Sequence, residues 1–176
     1  MVSTRRTFLL GSTAIVIAAA TTGRWYWRNR WQYIVIHHSA GNYGNIKFLQ
    51  QVHRQRQGRD PIDAIPYHYI IGNGNGLTMG EVASDWRRHN NIWGMHVSAN
   101  NADHNWRGIG ICLIGNFEQG PVPAKQYQSL LALTRQLMLT YCISANNVSG
   151  HGHIGGESTL CPGRYFPLEQ FLQDIA

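Results

Sequence analysis

The chain has 176 residues, of which 43% are hydrophobic, and this length and composition suit one globular domain with no room for a second. Its formal net charge of +6 is concentrated at one end, because residues 1–30 hold five arginines and no acid, whereas the rest carries 10 basic against 9 acidic side chains. A near-neutral main segment removes the chief argument for a nucleic-acid partner.

Residues 1–30 have the pattern of a targeting segment. Arg5 and Arg6 precede an apolar run over residues 8–20 that is short for a membrane span, and the whole resembles a bacterial twin-arginine export signal. Small residues at 18–20 offer a cleavage site, whereas the Arg, Trp and Tyr side chains of residues 24–30 also suit a retained membrane anchor. We expect export to the periplasm or cell envelope, with cleavage left open.

The first predicted strand, residues 33–37, is an apolar run that ends in His37 and His38. A buried strand of this kind delivers a polar side chain at its tip to a pocket above the sheet. Because neighbouring strand residues face opposite ways, one of the two histidines faces that pocket and the other faces elsewhere.

A helix and a second strand follow. Residues 45–57 carry Phe48 and Leu49 on one apolar helical stripe, and residues 67–71 have the composition of a strand. The Gly/Asn cluster at 72–76 then predicts a hairpin turn rather than a phosphate-binding loop, because it lacks the Lys-containing pattern of such loops.

The second half supplies the remaining elements. Residues 79–105 lack periodicity and are rich in Trp, His and Asn, which favours a surface loop lining a groove. Residues 109–114 form a buried strand, and helices are predicted to begin at Pro123 and Pro167. The sequence therefore predicts a single α/β domain with a central mixed sheet flanked by three helices.

The glycine-rich segment 149–163 has the composition of a metal-binding loop. His151, His153 and Cys161 offer the nitrogen and sulfur donors that zinc prefers, and glycines let the backbone aim them at one point. A catalytic zinc needs three protein ligands, so a further donor from His37 or His38 completes a site. Such donors are expected within about 4 Å of one another.

Four segments carry a resemblance to a known family. They are IVIHHSA at 34–40, YHYIIG at 67–72, GIGICLIG at 108–115, and Gly150-His151 followed by the Cys-Pro-Gly of 161–163. In this order they resemble the zinc N-acetylmuramoyl-L-alanine amidases of the type 2 amidase and peptidoglycan recognition protein superfamily. The resemblance runs from about Trp31 to the C-terminus.

The resemblance implies a role for particular residues. It implies zinc ligands at His37, His151 and Cys161, with His153 as the rival of His151. Tyr67 matches the family tyrosine that acts beside the zinc, and Thr159 takes a catalytic position that is Lys in some members.

The substrate side of the prediction is less complete. The resemblance places His96 beside the substrate cleft, and we expect Asn105 to bind substrate as well. Members with a carboxylate base carry Glu where this chain has Cys112, so the base stays open among Tyr67, His96 and Glu157.

The sequence is compatible with three functions. The first is hydrolysis of the bond between N-acetylmuramic acid and L-alanine in peptidoglycan or a muropeptide, by a monomer. The second is a recognition module that binds peptidoglycan without cleaving it. The third, a hydrolase with Cys161 as nucleophile, is weaker because Cys161 does not begin a helix that lowers the pKa of its thiol.

Cys112 and Cys142 are expected to be buried apolar residues rather than a disulfide.

Overall fold

The structure is a computed structural model that describes residues 22, 23, 26, 29–56, 60 and 62–176. The chain divides into two compact units, Met1–Arg30 and Trp31–Ala176. The sheet and the candidate site belong to Trp31–Ala176. Most of the predicted export signal lies outside the described residues, so its role stays a prediction.

A mixed sheet forms the centre of the second unit, as predicted, and it has five strands, two more than the three named from sequence. Its strands, in chain order, are β1 (Tyr33–His38), β2 (Tyr69–Ile71), β3 (Val82–Ser84), β4 (Gly108–Leu113) and β5 (Val148–Gly150). Their order across the sheet is β3-β2-β4-β1-β5. β1 runs parallel to β4 and β5, and β2 runs parallel to β4, whereas β3 is antiparallel to β2. β1 and β4 are central in this order, and their sequences are apolar because both faces of the sheet are covered there.

The described residues of the second unit form five α-helices beside the sheet. They are α1 (Ile46–Arg56), α2 (Trp86–His89), α3 (Ala102–Arg107), α4 (Ala124–Tyr141) and α5 (Leu168–Ile175). The helices predicted to begin at Pro123 and Pro167 start one residue later, with each proline as the N-terminal flanking residue. The two short helices α2 and α3 are additions to the three predicted.

One face of the sheet packs against α4 and α5 and holds the main core. Ile34, Ile36 and Ile111 on the sheet meet Leu130 of α4 and Phe171 of α5, all fully buried. Burying a side chain of this size contributes about 1.5–3 kcal/mol. The opposite face holds smaller apolar clusters under α1 and the loops, and this is the face on which the candidate site lies.

The segment 79–105 differs from the predicted surface loop. It contains β3, α2 and the start of α3, and part of it is buried. The guanidinium of Arg87 is fully buried, where it pairs with the carboxylate of Asp60 and donates to the carbonyls of Ile65 and Trp93. A charged residue therefore anchors this segment in the interior, and hydrophobic periodicity cannot reveal such an anchor.

Other differences are local. Phe48 is 39% exposed and its ring packs against that of Tyr43, whereas Leu49 enters the core. Cys112 is buried as predicted, but Cys142 is exposed because it ends α4 in the left-handed region at φ 55°. All three cysteines are free. None of the described helices combines the length and apolar character that crossing a membrane requires.

Candidate metal centre and active site

His37 and His38 leave the end of β1 toward opposite faces, as strand alternation predicts. The side chain of His37 is buried on the face that carries Val35. His38 instead accepts a hydrogen bond at Nδ1 from the backbone N–H of Phe117 at 3.1 Å. Only His37 of this pair therefore belongs to the candidate centre.

The loop after β5 brings two further donors to His37. His151, which directly follows β5, and Cys161 place one ligating atom each so that these atoms and that of His37 all lie within 4.8 Å of one another. The Nδ1 atom of His37 is 3.8 Å from Sγ of Cys161. The limit of 4.8 Å on the distances between ligating atoms is slightly wider than the 4 Å expected. His153 is exposed and is not part of this group.

A close backbone crossing shapes the loop. The N–H of Gly152 donates to the carbonyl of Cys161 at 2.6 Å. A Cβ atom at position 152 would clash with the carbonyl oxygen of Thr159, so the crossing requires glycine. This contact keeps the backbone next to His151 close to that of Cys161.

A hydrogen-bonded pair of buried rings orients His37. Nε2 of His37 lies 3.1 Å from Nδ1 of His96, and Nε2 of His96 lies 3.5 Å from the carbonyl oxygen of Gly108. Because a carbonyl only accepts, His96 donates to it from Nε2 and accepts at Nδ1 from His37. Burial lowers the pKa of both histidines well below the usual value, which keeps them neutral. His37 thus presents the Nδ1 lone pair toward Cys161.

Cys161 has the environment of a ligand rather than of a free nucleophile. The residue is 7% exposed, and burial raises the pKa of its thiol to about 12, although the backbone N–H of His38 donates to the sulfur at 3.3 Å. A thiolate here requires a compensating positive charge, such as a bound cation. The donor set of two imidazoles and one thiolate fits zinc.

Tyr67 lies next to His37. Its ring centroid is 5.0 Å from that of His37, the residue is 8% exposed, and its hydroxyl interacts with the buried thiol of Cys112. Cys112 pairs with His37 in the β1–β4 register. The side chain predicted to act in catalysis therefore lies beside the candidate ligands.

Thr159 is exposed and contacts the backbone of the candidate ligand Cys161. Its Oγ1 accepts a hydrogen bond from the backbone N–H of Cys161 at 3.2 Å. Both residues line a surface groove of about 660 Å³. Of the candidate ligands, Cys161 lines this groove, whereas His37 and His151 do not.

His96 and Asn105 lie in the interior, 5% and 8% exposed. Oδ1 of Asn105 accepts from the backbone N–H groups of His96 and Val97 at 2.8 and 3.1 Å, and its Nδ2 donates to the carbonyl of Val97. These contacts make both residues supports of the site. Contact of His96 and Asn105 with substrate remains a prediction from sequence.

Glu157 makes a contact that residue spacing did not single out. Its Oε2 lies 2.9 Å from Nε2 of His151, and its side chain is 4% exposed. Burial acts to raise the pKa of this carboxyl, but hydrogen bonds from Ser98, Asn101 and His151 outweigh burial and lower the pKa to about 2. Glu157 is therefore ionised and is held by neighbouring donors.

The chain is similar to known proteins in both sequence and fold. The family model described as N-acetylmuramoyl-L-alanine amidase (Amidase_2) matches residues 27–164. The N-acetylmuramoyl-L-alanine amidase LysC from Clostridium intestinale is 29% identical, with a TM-score of 0.68 and coverage of 85% of this chain and 87% of that chain. Peptidoglycan-recognition protein SC2 of Drosophila melanogaster is 28% identical, over 77% of this chain and 70% of its own length.

A more distant structure shares the fold. A mutant of Drosophila PGRP-LB, solved in complex with tracheal cytotoxin, is 21% identical, with a TM-score of 0.57 and coverage of 77% of each chain. The family match extends from before β1 to beyond Cys161 and so includes all three candidate ligands. On this match, the protein belongs to the N-acetylmuramoyl-L-alanine amidase (Amidase_2) family.

Proposed function

We propose that this protein hydrolyses the amide bond between N-acetylmuramic acid and L-alanine in peptidoglycan or its muropeptides, with Zn²⁺ held by His37, His151 and Cys161. The observation that carries the proposal is the convergence of these three donors beside Tyr67. A zinc ion bound there would supply a water nucleophile at neutral pH and polarise a carbonyl.

In this proposal, the side chains around the candidate ligands have separate roles. His96 fixes the ring of His37, and the buried rings around the centre exclude water from one side of it. All three candidate bases make internal contacts, His96 and Glu157 with ligand rings and the Tyr67 hydroxyl with the thiol of Cys112. Tyr67 differs in that its ring also lies against that of His37. We assign Tyr67 the polar contact to the reacting groups, with Thr159 at the mouth of the adjoining groove.

The decisive experiment is a digestion of purified peptidoglycan. The zinc-loaded protein is expected to release a free L-alanine amine, which mass spectrometry identifies as a new amino terminus. A cut elsewhere in the peptide or in the glycan would refute the substrate assignment.

A recognition module that binds peptidoglycan without cleaving it is the second candidate. The similarity to peptidoglycan-recognition protein SC2 favours it. Protein that binds zinc and sediments with peptidoglycan but never cleaves it would support this candidate over the amidase.

Export to the cell envelope is part of the proposal, because the substrate lies there. We propose that residues 1–30 act as a twin-arginine signal. Fused to a reporter, the segment is expected to direct export, and changing Arg5 and Arg6 to lysine is expected to stop it. The matched control changes Arg24 and Arg28 to lysine, and equal loss in both variants would refute the twin-arginine assignment.

A further inference from the structure

Glu157 joins two parts of the chain that are distant in sequence. One carboxylate oxygen, Oε2, meets Nε2 of His151 at 2.9 Å. The other, Oε1, accepts from the backbone N–H and hydroxyl of Ser98 at 3.0 and 2.7 Å, and from Nδ2 of Asn101 at 2.7 Å. Three donors thus fix one end of the carboxylate, and the other end is directed at a single ring nitrogen.

The ring of His151 can satisfy this contact in one way. A carboxylate only accepts hydrogen bonds, so Nε2 of His151 must carry the proton, and in a neutral ring Nδ1 then carries the lone pair. Nδ1 is the nitrogen left to bind a metal with His37 and Cys161. We propose that Glu157 is a positioning residue that sets His151 in the metal-binding tautomer and orientation, an inference that rests on the metal-binding part of the proposed function.

The same short segment orients both candidate ligand rings. His96 is hydrogen-bonded to His37, and two residues later Ser98 begins the donor group that holds Glu157 against His151. Carboxylate partners of metal-binding histidines fix ring tautomer and raise ligand basicity in other metal sites. Residues 96–101 therefore act as one frame for both histidines.

The substitution Glu157→Gln tests the proposal by reversing one contact. The three donors at Ser98 and Asn101 would retain the amide oxygen, so the amide NH₂ would face Nε2 of His151. A donor at that place favours the opposite tautomer of His151, with the proton on Nδ1. Zinc must then compete with that proton, and we expect affinity to fall by about 10–100-fold.

Two measurements on the full chain test the effect of Glu157→Gln, one of the His151 tautomer and one of the zinc affinity. Two-bond ¹H–¹⁵N correlation spectra of the metal-free protein are expected to show His151 protonated at Nε2 in the wild type and at Nδ1 in Glu157→Gln. Competition with a chromogenic chelator gives the zinc affinity. The matched control is Glu81→Gln, because Glu81 also accepts from a backbone N–H, that of Thr78, on the exposed β2–β3 connection.

Unchanged tautomer and zinc affinity in Glu157→Gln would overturn the proposal. If that variant does not fold, the double variant Ser98→Ala, Asn101→Ala loosens Glu157 while retaining its carboxylate, and is expected to weaken zinc binding several-fold. Wild-type affinity in the double variant would then overturn the proposal. Neither readout needs hydrolysis, so a protein that binds zinc but does not cleave peptidoglycan would refute the proposed amidase and leave this inference intact.

Discussion

The imidazole of His96 is hydrogen-bonded to that of His37 at 3.1 Å, with both rings buried on the same face of the sheet. His96→Ala would leave Nε2 of His37 buried without its acceptor, which costs about 1–3 kcal/mol. We expect the free energy of unfolding to fall by this amount in urea titrations, and zinc affinity to fall with it.

His96→Gln is the matched control, because an amide oxygen can replace the lost acceptor. It is expected to recover part of both losses. Equal losses in the two variants would show that the ring acts by filling space rather than by its hydrogen bond.

Cys161→Ala is expected to abolish bound zinc and hydrolysis while leaving weak binding to peptidoglycan. A ligand thiolate supplies much of the metal affinity, whereas Cys161 is only one of the residues that line the adjoining groove, so most of the groove wall remains. Zinc content, hydrolysis and sedimentation with peptidoglycan are measured on one preparation. Cys142→Ala, at an exposed free thiol, is the control and should match the wild type.

Chelation separates the two roles of Cys161. A zinc-dependent enzyme loses activity to a chelator, whereas a cysteine nucleophile is insensitive to it and is trapped by alkylation. Full activity after exhaustive chelation would exclude the metal mechanism.

Tyr67→Phe is expected to keep the fold and the metal but to slow hydrolysis by about 100-fold or more, as the loss of a polar contact made in the transition state does. Turnover at saturating substrate, with zinc content verified, measures the effect. Tyr43→Phe, at an exposed tyrosine, is the control. Thr159→Ala should show a smaller loss than Tyr67→Phe, and unchanged turnover in the latter would remove Tyr67 from the mechanism.

Gly152→Ala tests the backbone crossing in the loop. The new methyl group would clash with the carbonyl oxygen of Thr159, so the loop must open and separate His151 from Cys161. Zinc affinity is expected to fall by at least tenfold. Gly155→Ala is the control in the same loop, because open space surrounds that position; an equal loss there would point to general loop stiffness instead.

The hydroxyl of Tyr127 donates to the carboxylate of Asp174 at 2.5 Å and connects α4 to α5. Burial and this hydrogen bond raise the pKa of Tyr127 to about 12, above the ordinary value of 10.0. A group whose folded pKa is raised stabilises the fold below its unfolded pKa and loses that effect as pH rises through the folded value. Stability should therefore decline between about pH 10 and 12 more steeply in the wild type than in Tyr127→Phe, as thermal melts would show.

The parallel strand β5 (Val-Ser-Gly) is not an apolar run and was not predicted. The parallel strands β1, β2 and β4 could be predicted from sequence because they read as apolar runs. β3 could not, since it has three residues and Val82 is 42% exposed. Segments 34–40 and 149–163 could likewise be identified as donor-rich from sequence, and the family resemblance then selected His37, His151 and Cys161 within them.

The supports of the site were not predictable in the same way. His96, Asn105 and Glu157 are polar residues that spacing assigns to a surface. Their burial depends on specific partners, such as the backbone of Val97 and the ring of His151, that only the folded chain supplies. Arg87 is a further example, since its ion pair with Asp60 lies in the interior.

His37 and Cys161 are 124 positions apart in the chain, yet their donor atoms are 3.8 Å apart. An ion held between them would join the first strand to the last long loop and so enclose most of the domain in a single ring. Closing a ring of about 100 residues in the unfolded chain is worth about 4–5 kcal/mol when the link is covalent. Zinc would then stabilise the fold as well as take part in the reaction. In the metal-stripped protein, a protease would cut first in the segment that follows β5.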